Sequence, residues 1–330
     1  MRLALLLPLV LAQPTVPTRA LDLPLPIAKV LDGGAWDHGI PLAFRVIALS
    51  QVADACAEQA KVPELQAAAR RCVAKTVVAA RAVVDPEATN DALYLTHDAL
   101  ILGAADRVGA CPDPQLHGRL VRRLAALSLA DPTAHAASYV STSLRWPADQ
   151  SATLAALHRY DLAHHATVTD APLARWRKEL RHKLDVRGLP RSEVTGRGPG
   201  ATVARGCAQS WISRYLPEVD PAQSQAWWVV YRKHFEAQRG PFVGFREWPV
   251  GVEGPTDMDS GPIIAGVGAA ASAFGVAAAR AQGDEVFAAQ LQAGEDVLLA
   301  TGAGGAAAHS VLAEAIRLAG RWQPRLVELQ

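Results

Sequence analysis

Gly244-Phe245-Arg246-Glu247-Trp248-Pro249, a short connection, and Asp257-Met258-Asp259-Ser260-Gly261-Pro262 lead into a run of small and apolar residues with no charge from Gly261 through Ala279. A helix that is apolar all round is a buried one, so this run predicts a buried helix opening at about Asp259. Ser260 stands where an N-cap belongs, and Pro262 falls in the first turn, where its missing N–H costs nothing. Asp257 and Asp259 are favoured there by the helix dipole, which is also the ordinary capping role of such residues. Their company suggests more. Arg246 and Glu247 lie just upstream, and charged groups at the mouth of a buried helix are costly to desolvate unless they pair or do chemistry. An ion pair from Arg246 to Asp257 or Asp259 is the expected structural tie.

The rest of the 330-residue chain is read outward from that mouth. Half its residues are hydrophobic, and 33 Lys and Arg against 32 Asp and Glu leave a net charge of +1. A large core is therefore available, and the scattered charges form no basic stripe, which argues against nucleic acid as a partner. Abundant alanine and the scarcity of alternating β-branched runs point to an all-α protein with few strands.

Met1-Arg2, the apolar run Leu3 to Ala12 and the following Gln13-Pro14 have the shape of a secretory signal peptide, cleaved near Ala12 or Ala20. Residues 1–20 are assigned to that segment and 21–330 to one domain, secreted or periplasmic. The apolar run is too short to span a bilayer comfortably, and no integral membrane segment is expected in the mature chain. Export permits disulfides. Cys56 and Cys72 flank Lys61-Val62-Pro63, which reads as the turn of a helical hairpin, so they are placed to face one another. Closing a loop of that size stabilises by roughly 3 kcal/mol in the chain-entropy model. Cys111 and Cys207 have no comparable local argument. No Cys-x-x-Cys or paired Cys/His spacing occurs, so no metal site is expected, and no cofactor is implied.

Residues 21–37 read as an irregular arm, after which the helical period takes over in pairs: Pro41 to Ala60 with Pro63 to Val84, Thr89 to Val108 with Gln115 to Leu129, and Pro147 to His165 with Pro172 to Leu184. Thr202 to Leu216 and a helix opened by Asp220-Pro221 and ending near Gly240 follow. Asp259 to Gln282, Gly283 to Leu299 and Gly305 to Leu318 complete the series. First helices start near residues 41, 90, 147, 202, 259 and 305, a spacing of roughly 46 to 57 residues, which is a repeat signal. About six such helical hairpins make an (α/α)6 toroid the favoured architecture, ahead of an open α-solenoid and of a membrane bundle.

In a toroid the loops before the inner helices gather at one end. Arg145-Trp146-Pro147-Ala148-Asp149, Arg205-Gly206 and the Asp257 to Gly261 stretch then converge on one funnel. Trp146 and Trp248 are candidate apolar walls for a small molecule, or else core residues. Two carboxylates across a cleft divide general acid and base work when their environments separate their pKa values, and Asp149 with Asp257 or Asp259 is the favoured pair. Tyr94 and His97 lie one turn apart, either as a proton-transfer pair in the funnel or with His97 as a satisfied core histidine. Arg145, Arg205, Arg246 and Glu247 complete the substrate-binding set. His164 and His165 read as surface groups closing a helix end. Gly302 to Gly305 is no phosphate loop, because no Lys-Ser/Thr follows it.

With Arg145-Trp146-Pro147-Ala148-Asp149-Gln150, Arg205-Gly206, Phe245 to Pro249 and Asp257 to Pro262 in view, the chain resembles the bacterial proteins grouped with linalool dehydratase-isomerase, over most of residues 90–285. The resemblance implies an (α/α)6 barrel and cofactor-independent addition or removal of water and isomerisation of a monoterpene alcohol. It also implies a site using cysteine beside His, Tyr and Asp, and Cys207 is the one cysteine on a later inner helix. The functional expectation is an acid/base enzyme, a hydro-lyase, isomerase or hydrolase, acting on a neutral small molecule. The alternatives are an inverting glycosidase-like enzyme, for which the carboxylates would stand about 6.5 to 9.5 Å apart, and a non-catalytic structural or ligand-binding barrel.

Overall fold

The computed structural model describes residues 19–197, 201–240, 242–300 and 309–323. The apolar run Leu3 to Ala12, the Gly302 to Gly305 stretch and the first residues of the expected last helix lie outside the described residues. Twelve α-helices are found among the described residues: α1 (Leu25–Leu31), α2 (Leu42–Gln59), α3 (Gln66–Val83), α4 (Ala92–Arg107), α5 (Pro114–Ala130), α6 (Pro147–His164), α7 (Asp170–Leu180), α8 (Gly206–Tyr215), α9 (Pro221–Phe235), α10 (Ala269–Ala281), α11 (Glu285–Ala300) and α12 (Val311–Trp322). The strands are short: β1 (Glu236–Arg239) pairs antiparallel with β2 (Phe242–Phe245), and β3 (Ile263–Ile264) with β4 (Val267–Gly268). No helix among the described residues is long and apolar enough to cross a membrane.

Local signals explain the boundaries. Asp113 and Asp220 each accept a hydrogen bond from a backbone N–H three residues on, with proline at the first helical position, so α5 and α9 start where the chain supplies both a cap and a preset φ. Ser310 caps α12 in the same way. Pro147 opens α6. The arm at 21–37 is not wholly irregular, because Pro24 and Pro26 preset the backbone of the short helix α1.

The largest correction falls on the stretch quoted first. The helix expected from Asp259 begins ten residues later, at Ala269, and residues 263–268 form a hairpin instead. Ile264 and Val267 flank a two-residue loop, Ala265–Gly266, in which both residues have positive φ (50° and 82°), the geometry of a type I′ turn whose twist matches its strands. Pro262 therefore lies outside the helix. Ser260 caps no helix either: its Oγ accepts from the Asp257 N–H at 3.0 Å, and its own N–H donates to Asp257 Oδ1 at 2.9 Å, closing a tight loop.

Helix packing follows burial. Along α2 and α4 nearly every residue is buried, and α6 is buried through its first three turns, whereas α3, α5 and α7 each bury one face. α2 packs against α4, α4 against α6, α6 against α8, α8 against α10, α10 against α12, and α12 against α2. The intervening helices lie against members of that series: α3 on α2 and α4, α5 on α4 and α6, α9 on α8, and α11 on α10. Cys56 of α2 and Cys72 of α3 form a disulfide, while Cys111 and Cys207 are free thiols.

Charge is buried where the apolar pattern gave no warning. Asp54 accepts hydrogen bonds from Arg107, Arg159 and Arg214, and Arg159 also grips Glu218 through two bonds of 2.8 and 2.7 Å. Burial alone would raise the Asp54 carboxyl, but the three guanidiniums hold it below the usual range. These arginines sit in the C-terminal parts of α4, α6 and α8, where a cation also complements the helix dipole.

Asp98 is the opposite case. It is buried in α4, its Oδ2 has no hydrogen-bond partner among the described residues, and burial, opposed by Arg81 and aided by Asp85, pushes its pKa up to about 7. A carboxyl raised in the folded state costs nothing below its unfolded pKa. It then destabilises progressively as pH rises from about 4 to about 7, and above that the cost is constant, of order a few kcal/mol. Asp98→Asn should therefore gain stability relative to wild type as pH rises from 4 to 8 in urea melts. A pH-independent difference between the two proteins would contradict the burial of an unpaired carboxyl.

Candidate functional site

The N-terminal ends of α4, α6 and α8 bring together most of the residues singled out from sequence. Two free N–H groups at the start of α4, those of Ala92 and Leu93, are taken by the carbonyls of Ala137 and Ser138, and Asp91 accepts from the Val140 N–H. Helix ends need such partners, and meeting that need lays the 137–140 loop over the end of α4. Tyr139 is thereby placed edge-on to both Tyr94 (6.4 Å between ring centroids) and Trp146 (6.3 Å). Ser138 Oγ donates to Asp149 Oδ2 at 2.5 Å. Trp146 is the residue before α6 and Asp149 lies in its first turn, so Pro147, by starting the helix, fixes both.

Asp149, Ser138, Thr96, His97 and Thr153 line a small cavity of about 10 Å³, room for one water-sized occupant. Burial, opposed by the Ser138 hydrogen bond and reinforced by the charge of Asp259, raises Asp149 to about 6. Asp259 is raised as well, by desolvation of its carboxyl first and by the charge of Asp257 second, with Arg205 acting against the shift. Its residue surface is exposed while its carboxyl is flanked by other acidic groups, so the group stands at the lip of the site. Neither Asp149 nor Asp259 forms an ion pair among the described residues.

The remaining carboxylates belong to Arg205, and here the expected tie is corrected. Arg205, not Arg246, binds Asp257, through two bonds of 2.6 and 2.9 Å, and its Nε donates to Glu247 at 2.8 Å. Arg246 forms no ion pair among the described residues, and its Nε is buried without an acceptor. Backbone geometry decides between the two arginines. Arg246 bridges to Val267 of the hairpin and directs its main chain to that edge, whereas Arg205 precedes α8 and projects into the mouth. Gly206 lets the two segments meet: a Cβ there would stand 2.0 Å from the Arg246 carbonyl oxygen. The Gly206 N–H donates to the Glu247 carbonyl at 2.8 Å.

Glu247 has no exposed surface and accepts from Arg205, from the Cys207 N–H and from the Cys207 thiol at 3.1 Å. Burial pushes its pKa up against the pull of Arg205 and Cys207, but three donors aimed at one carboxyl group are the surroundings of a carboxylate. Asp257, by contrast, is lowered: burial would raise it, and the bonds from Arg205 and Ser260 prevail. Cys207 is driven well above the ordinary thiol value by burial and by Glu247, so it remains a thiol and a donor rather than a thiolate nucleophile.

Three further expectations are placed by the structure. Trp248 is buried, donates its indole N–H to the Pro255 carbonyl and lies beneath the Arg205 guanidinium at 5.1 Å, so it supports the arginine, while Trp146 is partly exposed at the mouth. Arg145 braces its own loop through Asp131 and the carbonyls of Thr142 and Leu144. His97 is buried, holds Ser50 at 2.7 Å through Nδ1, and is lowered to about 3 by burial and by Arg214, so it is a neutral imidazole on the cavity wall. Tyr94 and His97 do not act as a contiguous pair: Tyr94 packs on Tyr139, and His97 reaches Ser50 and Trp211. Ser138 and Tyr139 escaped sequence reasoning as site residues, because their position depends on caps made by a distant helix.

No family model matches this chain, and no curated protein matches it at a significant level.

Arg205→Ala strands a fully buried Glu247, and breaking one side of a buried pair costs roughly 3 to 5 kcal/mol. Arg246→Ala should cost at least about 2 kcal/mol less, because no ion pair is lost. Urea melts of the two variants check the ranking, and an equal or reversed order would return Arg246 to the role expected from sequence.

Proposed function

We propose that the helices close as an (α/α)6 toroid and that the mouth at the N-terminal ends of α4, α6 and α8 is the site of a cofactor-independent acid/base enzyme, a hydro-lyase or isomerase acting on a neutral small molecule. The toroid reading is supported by the unbroken order of helix neighbours, which runs from α2 through α12 and returns to α2. The placement outside the cytoplasm is supported by the Cys56–Cys72 disulfide, since such bonds persist in oxidising compartments.

One observation carries the chemistry: Asp149 and Asp259 have no cation partner among the described residues, and the charge of Asp259 raises Asp149 to about 6. Asp149 keeps its proton up to about pH 6, and Asp259 at the lip is a second carboxyl without an ion pair among the described residues, so an acid and a base stand in one site. Asp149, at the water-sized cavity, is assigned the acid: it protonates a substrate hydroxyl, the C–O bond breaks, and the water formed is lodged beside Ser138 and Thr96. Asp259, at the lip, takes a proton from the adjacent carbon as the double bond forms. Hydration runs the same steps backwards. Asp257 and Glu247, occupied by Arg205, hold the loops; that part of the mouth fits the scaffold role of a non-catalytic barrel.

The test is dehydration of a monoterpene alcohol, the substrate class suggested by the resemblance, followed by alkene formation across pH. Activity should fall as pH rises past about 6, where Asp149 loses its proton, and should fall again in acid as Asp259 gains one. Asp149→Asn and Asp259→Asn should each melt like wild type and lose about 10²- to 10⁴-fold in rate. Turnover by both variants at the wild-type rate would remove the pair from the chemistry.

A further inference from the structure

At the far end of α6 from Asp149, two imidazoles converge on one carboxylate oxygen. Asp106 Oδ2 lies 2.7 Å from His117 Nδ1 and 2.9 Å from His164 Nε2. One donor atom from each of the three residues lies within 4.8 Å of the other two. They come from separate elements, the last turn of α4, the first turns of α5 and the last residue of α6. We propose that Asp106, His117 and His164 form a Zn²⁺ site that pins these three helices together.

The donor chemistry favours that ion. Two imidazole nitrogens and a carboxylate oxygen are a usual zinc set, with bonds of about 2.0 to 2.2 Å and a fourth position for water. Ligand atoms around such an ion stand about 3.3 Å apart, so the two short separations need to open by only about half an ångström. His164 gives that freedom, since its side chain is 29% exposed while that of His117 is fully buried. Both rings are held in place by Tyr160, whose centroid is 4.9 Å from His117 and 4.3 Å from His164. His117 Nε2 is buried with no partner among the described residues, so the whole polar contact of that ring is made on the Asp106 side.

Cys111, in the connection between α4 and α5, directs its thiol to the same carboxylate. It acts from behind Asp106, orienting the ligand as outer partners in metal sites do. The cluster is not legible in the sequence, because its ligands are spread over residues 106 to 164 and match no short zinc spacing. His164, read from sequence as a surface group, is one of its members. Fifteen residues of helix separate it from Asp149, about 22 Å, so the cluster is distinct from the mouth.

The experiment uses the untagged full chain, stripped with a chelator and titrated with Zn²⁺ and with Co²⁺. It should take up about one ion per chain, melt at a higher temperature when loaded, and show the visible bands of tetrahedral cobalt. His164→Ala, a change at the surface that leaves the fold intact, should weaken Zn²⁺ binding by at least about 100-fold and lose the melting shift, whereas His165→Ala should retain both. Cys111→Ser keeps a donor to Asp106 and should bind as wild type does. Absence of a tightly held ion, wild-type binding by His164→Ala, or loss of binding in Cys111→Ser would each overturn the three-ligand site.

Discussion

The guanidinium of Arg205 is the contact on which the mouth depends. It joins three segments that are remote in sequence: the start of α8, the Glu247-Trp248 turn after β2, and the Asp257 loop. Its charge is what allows Glu247 to be enclosed completely, since an isolated carboxylate without exposed surface would be neutralised or expelled. Trp248 below it supplies a flat ring at 5.1 Å, where a guanidinium is attracted to the face. Because Asp257 is satisfied in this way, the acidic charge left over at the lip is that of Asp259, and it is this charge that acts on Asp149.

The two ends of the helix series solve opposite problems. Toward the C-terminal ends of α4, α6 and α8, Arg107, Arg159 and Arg214 are matched by Asp54, Glu58 and Glu218, and Asp54 is held ionised by three guanidiniums. Toward the N-terminal ends, Arg205 binds Asp257 and Glu247, while Asp149 and Asp259, with no ion pair among the described residues, have raised affinity for protons. Buried His97 lies between these regions, within reach of the Arg214 charge, and so remains neutral. A paired end gives rigidity, while an under-compensated end gives carboxyls with raised affinity for protons.

Much of this was legible in the chain. Proline and Asp at helix starts placed α5, α6 and α9 within a residue or two, and the Lys61-Val62-Pro63 turn located the disulfide, because caps and breakers act locally. The hairpin of residues 263–268 was not legible: Ile-Ile-Ala-Gly-Val-Gly is as apolar as the helix that follows, and periodicity cannot separate a short apolar strand from a buried helix. Proximity in the chain favoured Arg246 over Arg205, which is 52 residues from Asp257 and reaches it only in the fold, where Arg246 bridges to Val267 instead. The Asp54 network and the Asp106 cluster escaped for a simpler reason: their members lie on different helices and meet only when those helices pack.

The central claim is that Asp149 and Asp259 form an interacting acid/base pair. Its most direct test is a carboxyl-carbon NMR titration of Asp149 in the wild type and in Asp259→Asn. The account predicts a midpoint near 6 in the wild type, moving down once the neighbouring charge is gone, because that charge contributes to the shift. A midpoint at the ordinary aspartate value of about 3.9, or one unmoved by Asp259→Asn, would contradict it.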